Sequence, residues 1–144
     1  MQASIPRFLF SSLILLGLAC GAANSKQEDV NYDDLMIRLA EIEIDAAYLD
    51  EYLAILKEES EASVRLEPGV IAIYPMYQKE NPTSIRLLEI YANQAAYEAH
   101  LQTPHFQHYK TTTLKMVQSL KLVEMEAIDK AAMPALFKKL NPEF

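Results

Sequence analysis

The chain has 144 residues, 51% of them apolar and 23% charged, with a formal net charge of −7. That length and balance suit one domain with one real core and exclude a disordered chain. An acidic chain without a basic patch repels nucleic acid phosphates and anionic lipid surfaces, so no nucleic acid partner is expected.

Arg7 precedes an uncharged run from Phe8 to Ala19. The run has signal-peptide length and falls short of the ~20 residues that span a bilayer. Cys20, the sole cysteine, follows it and excludes an internal disulfide. This junction resembles the lipobox of bacterial lipoproteins. On that reading residues 1–19 are a signal peptide, Cys20 is lipidated, and the protein is exported and membrane-anchored on the periplasmic or cell-surface side. The membrane is then touched only through the lipid. Removing residues 1–19 removes one cation and no anion, leaving −8. Two other readings stand: cleavage after Ala23, which gives a freely secreted protein, and a buried apolar helix. Residues 20–33 read as a polar, acidic tether.

Leu35 to Ile44 is a predicted strand. It sets Leu35, Ile37 and Leu39 on one face and Met36, Ala40, Ile42 and Ile44 on the other. Asp45 is a suitable N-cap for a helix through about Ala62. Its apolar stripe is Leu49, Tyr52, Leu53 and Leu56, and its wet side is Glu58, Glu59 and Glu61. Glu67-Pro68-Gly69 is a turn. Val70 to Tyr77 and Ser84 to Tyr91 read as two strands of a hairpin, with Asn81-Pro82 in the loop between them. Asn93 caps a short helix, Gln94 to Leu101. Thr103 caps another, with Pro104 at its first position, running to about Val117. Leu120 to Ile128 reads as a fourth strand. Asp129 opens a last helix within residues 129–144, with Met133, Leu136, Phe137 and Leu140 on one side.

The order is β-α-β-β-α-β plus a C-terminal helix, an α+β, ferredoxin-like arrangement over residues 34–128. Helices then cover one sheet face. The other face stays apolar, through Ile71 and Ile73 or through Ala72 and Tyr74, whichever set points outward. A two-fold homodimer with sheets face to face would bury it.

The stretch Leu88-Glu89-Ile90-Tyr91 through His100 to Thr103-Pro104-His105-Phe106 resembles the signature of the antibiotic biosynthesis monooxygenase (ABM) domain family, which includes cofactor-free quinol monooxygenases. Upstream, Arg65-Leu66-Glu67-Pro68-Gly69 resembles that family's Glu-Pro-Gly turn. The resemblance implies a dimeric α+β barrel with a pocket between sheet and helices in each subunit. It also implies a small aromatic, hydroquinone-like substrate oxidised by O₂, and no cofactor. Carried over residue by residue, it marks His100 as the base and Glu89 as its orienting or substrate-polarising partner. The competing role for each is structural: a histidine holding its helix, and a buried carboxylate tolerated through a partner.

Tyr74, Tyr77, Tyr91 and Phe106 are candidates for lining the pocket, and Arg38, the odd charge of the first strand, points into the pocket or across the dimer interface. His100, His105 and His108 lack the ligand spacing of a metal site, so none is expected. Haem degradation is a weaker enzymatic reading, because haem-degrading members use an Asn, a Trp and a His and this chain has no Trp. A non-catalytic, ligand-binding dimeric lipoprotein remains the alternative.

Overall fold

A computed structural model describes residues 30–132 and residue 135. Cys20, the signal segment and Met133, Leu136, Phe137 and Leu140 lie outside the described residues. Among those described, no helix is long and apolar enough to cross a membrane.

The elements are β1 (Met36–Ile44), α1 (Leu49–Leu66), β2 (Val70–Gln78), β3 (Asn81–Tyr91), α2 (Gln94–His100), α3 (Pro104–Thr113) and β4 (Val117–Met125). The antiparallel sheet has strand order β2-β3-β1-β4, the ferredoxin-like order. Along β1 every even-numbered residue from Met36 to Ile44 is buried and every odd one half-buried. Strict alternation of this kind assigns Met36, Arg38, Ala40, Ile42 and Ile44 to the helix-covered face. The core grows from that face: Ala40, Ile42, Ile85, Leu87 and Tyr91 meet Tyr52 and Leu56 of α1. The Ile and Leu side chains among them gain roughly 1.5–3 kcal/mol each on full burial.

Local chemistry sets the joints. Asp45 accepts from the Ala47 N–H and opens a single 3₁₀ turn, Ala46–Tyr48, before α1 begins. Asn93 and Thr103 cap α2 and α3 by accepting from the Ala96 and Phe106 N–H groups. Gly69 is required by a close approach: a Cβ there would lie 2.5 Å from the Ala96 Cβ. Its carbonyl accepts from Ala92 N–H at 2.8 Å. The turn before β2 is thereby pressed against α2.

Four expectations are corrected. Asn81-Pro82 belongs to β3, because Gln78 pairs with Asn81 and leaves only Lys79 and Glu80 to turn. Pro82 stands beyond the β3 residues that pair with β1. The helix expected to reach Val117 ends at Thr113, and β4 starts three residues before Leu120 and ends three before Ile128. The cause is Met116. It is wholly buried, its N–H donates to Thr113 and its carbonyl accepts from Asp45, so the chain must turn there to meet β1. Glu59, assigned to the wet side of α1, is 5% exposed and faces inward.

Candidate functional site

A cavity of about 400 Å³ lies between the helix-covered face of the sheet and helices α2 and α3. Its floor is Ala40, Ile42, Leu87 and Tyr91; its walls include Tyr97, Leu101, Phe106 and Tyr109. Leu114, Leu120 and Leu122 rim it and are well exposed. The rings form a continuous lining. Tyr91 and Tyr97 meet edge-on at 5.3 Å between centroids, and Phe106 lies 4.7 Å from His100 and 6.3 Å from Tyr109. These edge and tilted contacts line the cavity with aromatic surface suited to a flat guest.

The polar groups stand in one row across the floor. In the sheet register Arg38 sits opposite Glu89 of β3 on one side and Glu124 of β4 on the other. Arg38 commits to Glu124: Nε donates to Oε1 at 3.0 Å and a terminal nitrogen donates to the same oxygen. Its guanidinium also stacks 4.3 Å from the centre of the Tyr97 ring. Burial works against the Arg38 charge, but Glu124 and Tyr97 outweigh it and leave the pKa raised.

Among the described residues Glu89 keeps only a long hydrogen bond, the Tyr91 hydroxyl donating to Oε2 at 3.5 Å. Burial pushes its carboxyl up to about 7, with Glu59 adding to the rise and Arg38 restraining it. A carboxyl poised near neutrality on an apolar cavity floor can take or give a proton at physiological pH. The neighbouring hydroxyls are poor acids: burial raises Tyr91 and Tyr52 far above the ordinary phenol range and Tyr109 to about 12. Tyr52 and Tyr109 share a hydrogen bond of 2.7 Å behind the wall.

His100 borders the cavity at 3% exposure, but its nitrogens are turned to carboxylates other than Glu89. Nδ1 lies 3.0 Å from Glu67 Oε1 and Nε2 lies 3.7 Å from Glu59 Oε1. His105 Nε2 reaches the same Glu67 oxygen at 2.5 Å. The proton accounting in this cluster is tight. Ser60 and Ser63 each have a backbone carbonyl within 2.8–2.9 Å to receive their single hydroxyl proton. Ser63 Oγ also lies 2.8 Å from Glu59 Oε1. Burial pushes the Glu59 carboxyl up, and the Ser63 hydroxyl and the neighbouring His100 oppose that rise.

Of the residues marked in the sequence, His100, Glu89, Tyr91, Phe106 and Arg38 come together around one cavity. Tyr74 does not. It pairs with Leu88 on the opposite sheet face and is 62% exposed. The expected His100–Glu89 partnership is replaced by His100–Glu67. His108 is exposed and apart from the cluster. Sequence reasoning missed Glu59, Glu67, Tyr97 and Tyr109. Glu67 carried a signal in its place in the Glu-Pro-Gly turn, and Tyr109 in its spacing of three residues from Phe106, which puts both on one helix face.

The fold and the cavity define a ferredoxin-like α+β domain that encloses a small-molecule-sized, ring-lined pocket between sheet and helices. The chain belongs to the antibiotic biosynthesis monooxygenase family, whose family model matches residues 35–112. A crystal structure from Bacteroides thetaiotaomicron VPI-5482, provisionally named an antibiotic biosynthesis monooxygenase, is 48% identical. It covers 69% of this chain and 94% of that one, with a TM-score of 0.68. A provisionally named monooxygenase from Lactobacillus acidophilus NCFM is 30% identical over 65% of this chain and 45% of its own, with a TM-score of 0.64. The uncharacterized protein sll1783 of Synechocystis is 32% identical over 103 residues, 70% of this chain. The match spans 65% of that relative's length.

Proposed function

We propose that the protein is a cofactor-independent monooxygenase that oxidises a small, electron-rich aromatic molecule, hydroquinone-like, with O₂. The observation that carries this reading is Glu89: a carboxyl with a pKa of about 7 and no close hydrogen-bond partner among the described residues, on the floor of a cavity walled by Tyr97, Phe106 and Tyr109. The ring packs among these side chains with one hydroxyl at Glu89, which takes its proton. Arg38, already paired with Glu124, holds positive charge beside the resulting phenolate. The phenolate passes an electron to O₂, and the radical pair joins through a new ring C–O bond. The O–O bond then breaks, leaving one oxygen on the ring and releasing the other as water. For a p-hydroquinone the balance is hydroquinone plus O₂ giving hydroxyquinone plus water, all four electrons coming from the ring. The apolar walls keep bulk water from the radicals. His100 serves as wall and not as base, since both its nitrogens face carboxylates of the neighbouring cluster.

The test is oxygen consumption by the purified chain with a panel of hydroquinones under ¹⁸O₂. We expect one labelled oxygen in the quinone product, one in water, and a fall of roughly 10²–10⁴ in kcat for Glu89→Gln. Absence of uptake across the panel at several pH values overturns the reading. Tight binding without uptake would assign the chain to non-catalytic ligand binding.

The same reading includes a homodimer and, on the lipobox resemblance at Cys20, an exported lipid-anchored protein. What supports the dimer is the sheet face that the described residues leave uncovered: Tyr74, Met76 and Met125 are 62%, 39% and 46% exposed, beside half-buried Ile37, Leu39 and Leu88.

A further inference from the structure

The cluster behind the cavity wall has a use that the proposed oxidation leaves untouched. Glu67 Oε1, His100 Nδ1 and His105 Nε2 come from the turn before β2, the end of α2 and the first turn of α3, and lie within 4.8 Å of one another. We propose that these three side chains bind one divalent first-row metal ion of the Zn²⁺ type, as a two-histidine, one-carboxylate site.

Four features support it. The donor set is that of known Zn²⁺ sites, neutral imidazole nitrogen plus carboxylate oxygen. The burial is graded: His100 is 3% exposed, Glu67 12% and His105 18%, so the ligands are anchored on one side and reachable from solvent on the other for a completing water. The outer shell is in place as well. With Nδ1 on the ion, His100 carries its proton on Nε2, which faces Glu59 Oε1 at 3.7 Å, and Glu59 is held in turn by Ser63. A carboxylate behind a ligating imidazole fixes its tautomer and raises its basicity. Finally, both imidazoles already reach one Glu67 oxygen, at 3.0 Å and 2.5 Å, so little reorganisation is needed to gather the three donor atoms around one ion. The ion would be structural for the pocket. It would lock the turn before β2 to α2 and α3, and His100 in turn packs against the Phe106 ring of the cavity wall, 4.7 Å between centroids.

The experiment is metal titration of the full chain, stripped with chelator and free of any affinity tag. Calorimetry with Zn²⁺ is expected to saturate at one equivalent per chain. Co²⁺ is expected to give the visible bands of a site with nitrogen and oxygen ligands. The Tm should rise with Zn²⁺. Glu67→Gln and His105→Asn should lose binding, and Glu59→Gln should weaken it by roughly 10–100-fold. His108→Asn, outside the cluster, should bind as the parent does. Circular dichroism shows whether each variant folds, and the unmodified chain alone decides the case if one does not. Zn²⁺ binding weaker than about 1 mM overturns the proposal. So does binding that survives Glu67→Gln and His105→Asn unchanged in folded protein.

Discussion

Glu89 decides the chemistry at the scale of a residue, because its neighbours leave it short of partners. Arg38 lies opposite it in the sheet but gives its hydrogen bonds to Glu124. Burial then raises the Glu89 carboxyl from an ordinary 4.5 to about 7. The consequence for stability has a definite sign. Between those two values the folded chain keeps a proton that the unfolded chain releases, so stability falls as pH rises through that window and levels off above it. The size is at most about 3 kcal/mol. Urea unfolding of Glu89→Gln across pH 4 to 9 should lack this slope, and the variant should be the more stable protein at pH 8. Activity should run the other way in the parent, rising with pH to a plateau with a midpoint near 7, since the base must be ionised. A flat stability profile in both proteins would remove Glu89 from this role. The sequence marked Glu89 as an acid in an apolar strand. It could not show that Arg38 would turn to β4, because that choice depends on strand order.

Among the elements, the turn before β2 is where packing is tightest. Gly69 faces Ala96 of α2 so closely that a Cβ has no room. Gly69→Ala should cost about 1–3 kcal/mol by overpacking, measured by urea denaturation. Adding Ala96→Gly should recover most of that loss, which an effect on backbone freedom alone would not allow. The element boundaries legible in the sequence were those written in short-range chemistry: Asp45, Asn93 and Thr103 accept at helix starts as their side chains require. The start of β4 was not legible. Nothing local marks Leu114–Met116 as a turn, and Met116 ends the helix by filling a hole in a core built from distant strands. Glu59 reads as solvent-facing for a related reason. It stands next to Glu58 and near Glu61, and the packing that buries it beside Ser63 and brings in His100 from α2 joins distant parts of the chain.

At the scale of the molecule, the described residues leave one face of the sheet under helices and the other bare, and the bare face calls for a partner. Leu39 lies at its centre, half-buried on β1 and paired with Leu88 and Val123. Sedimentation equilibrium is expected to give a dimer. Leu39→Glu should shift it to monomer while leaving the secondary structure unchanged, because this position touches water in the single chain. A parent protein that sediments as a monomer at high concentration would exclude the dimer.

The amino-acid sequence alone determined the strand and helix order, the apolar phase of β1 and the helix caps. Each of these depends on residues within a few positions of one another. The tertiary structure decided which charges meet: Glu67 with His100 and His105, Arg38 with Glu124 rather than Glu89, and Tyr74 turned away from the cavity. These pairings join residues that lie dozens of positions apart, and electrostatic energy depends on separation in space, which chain distance does not encode.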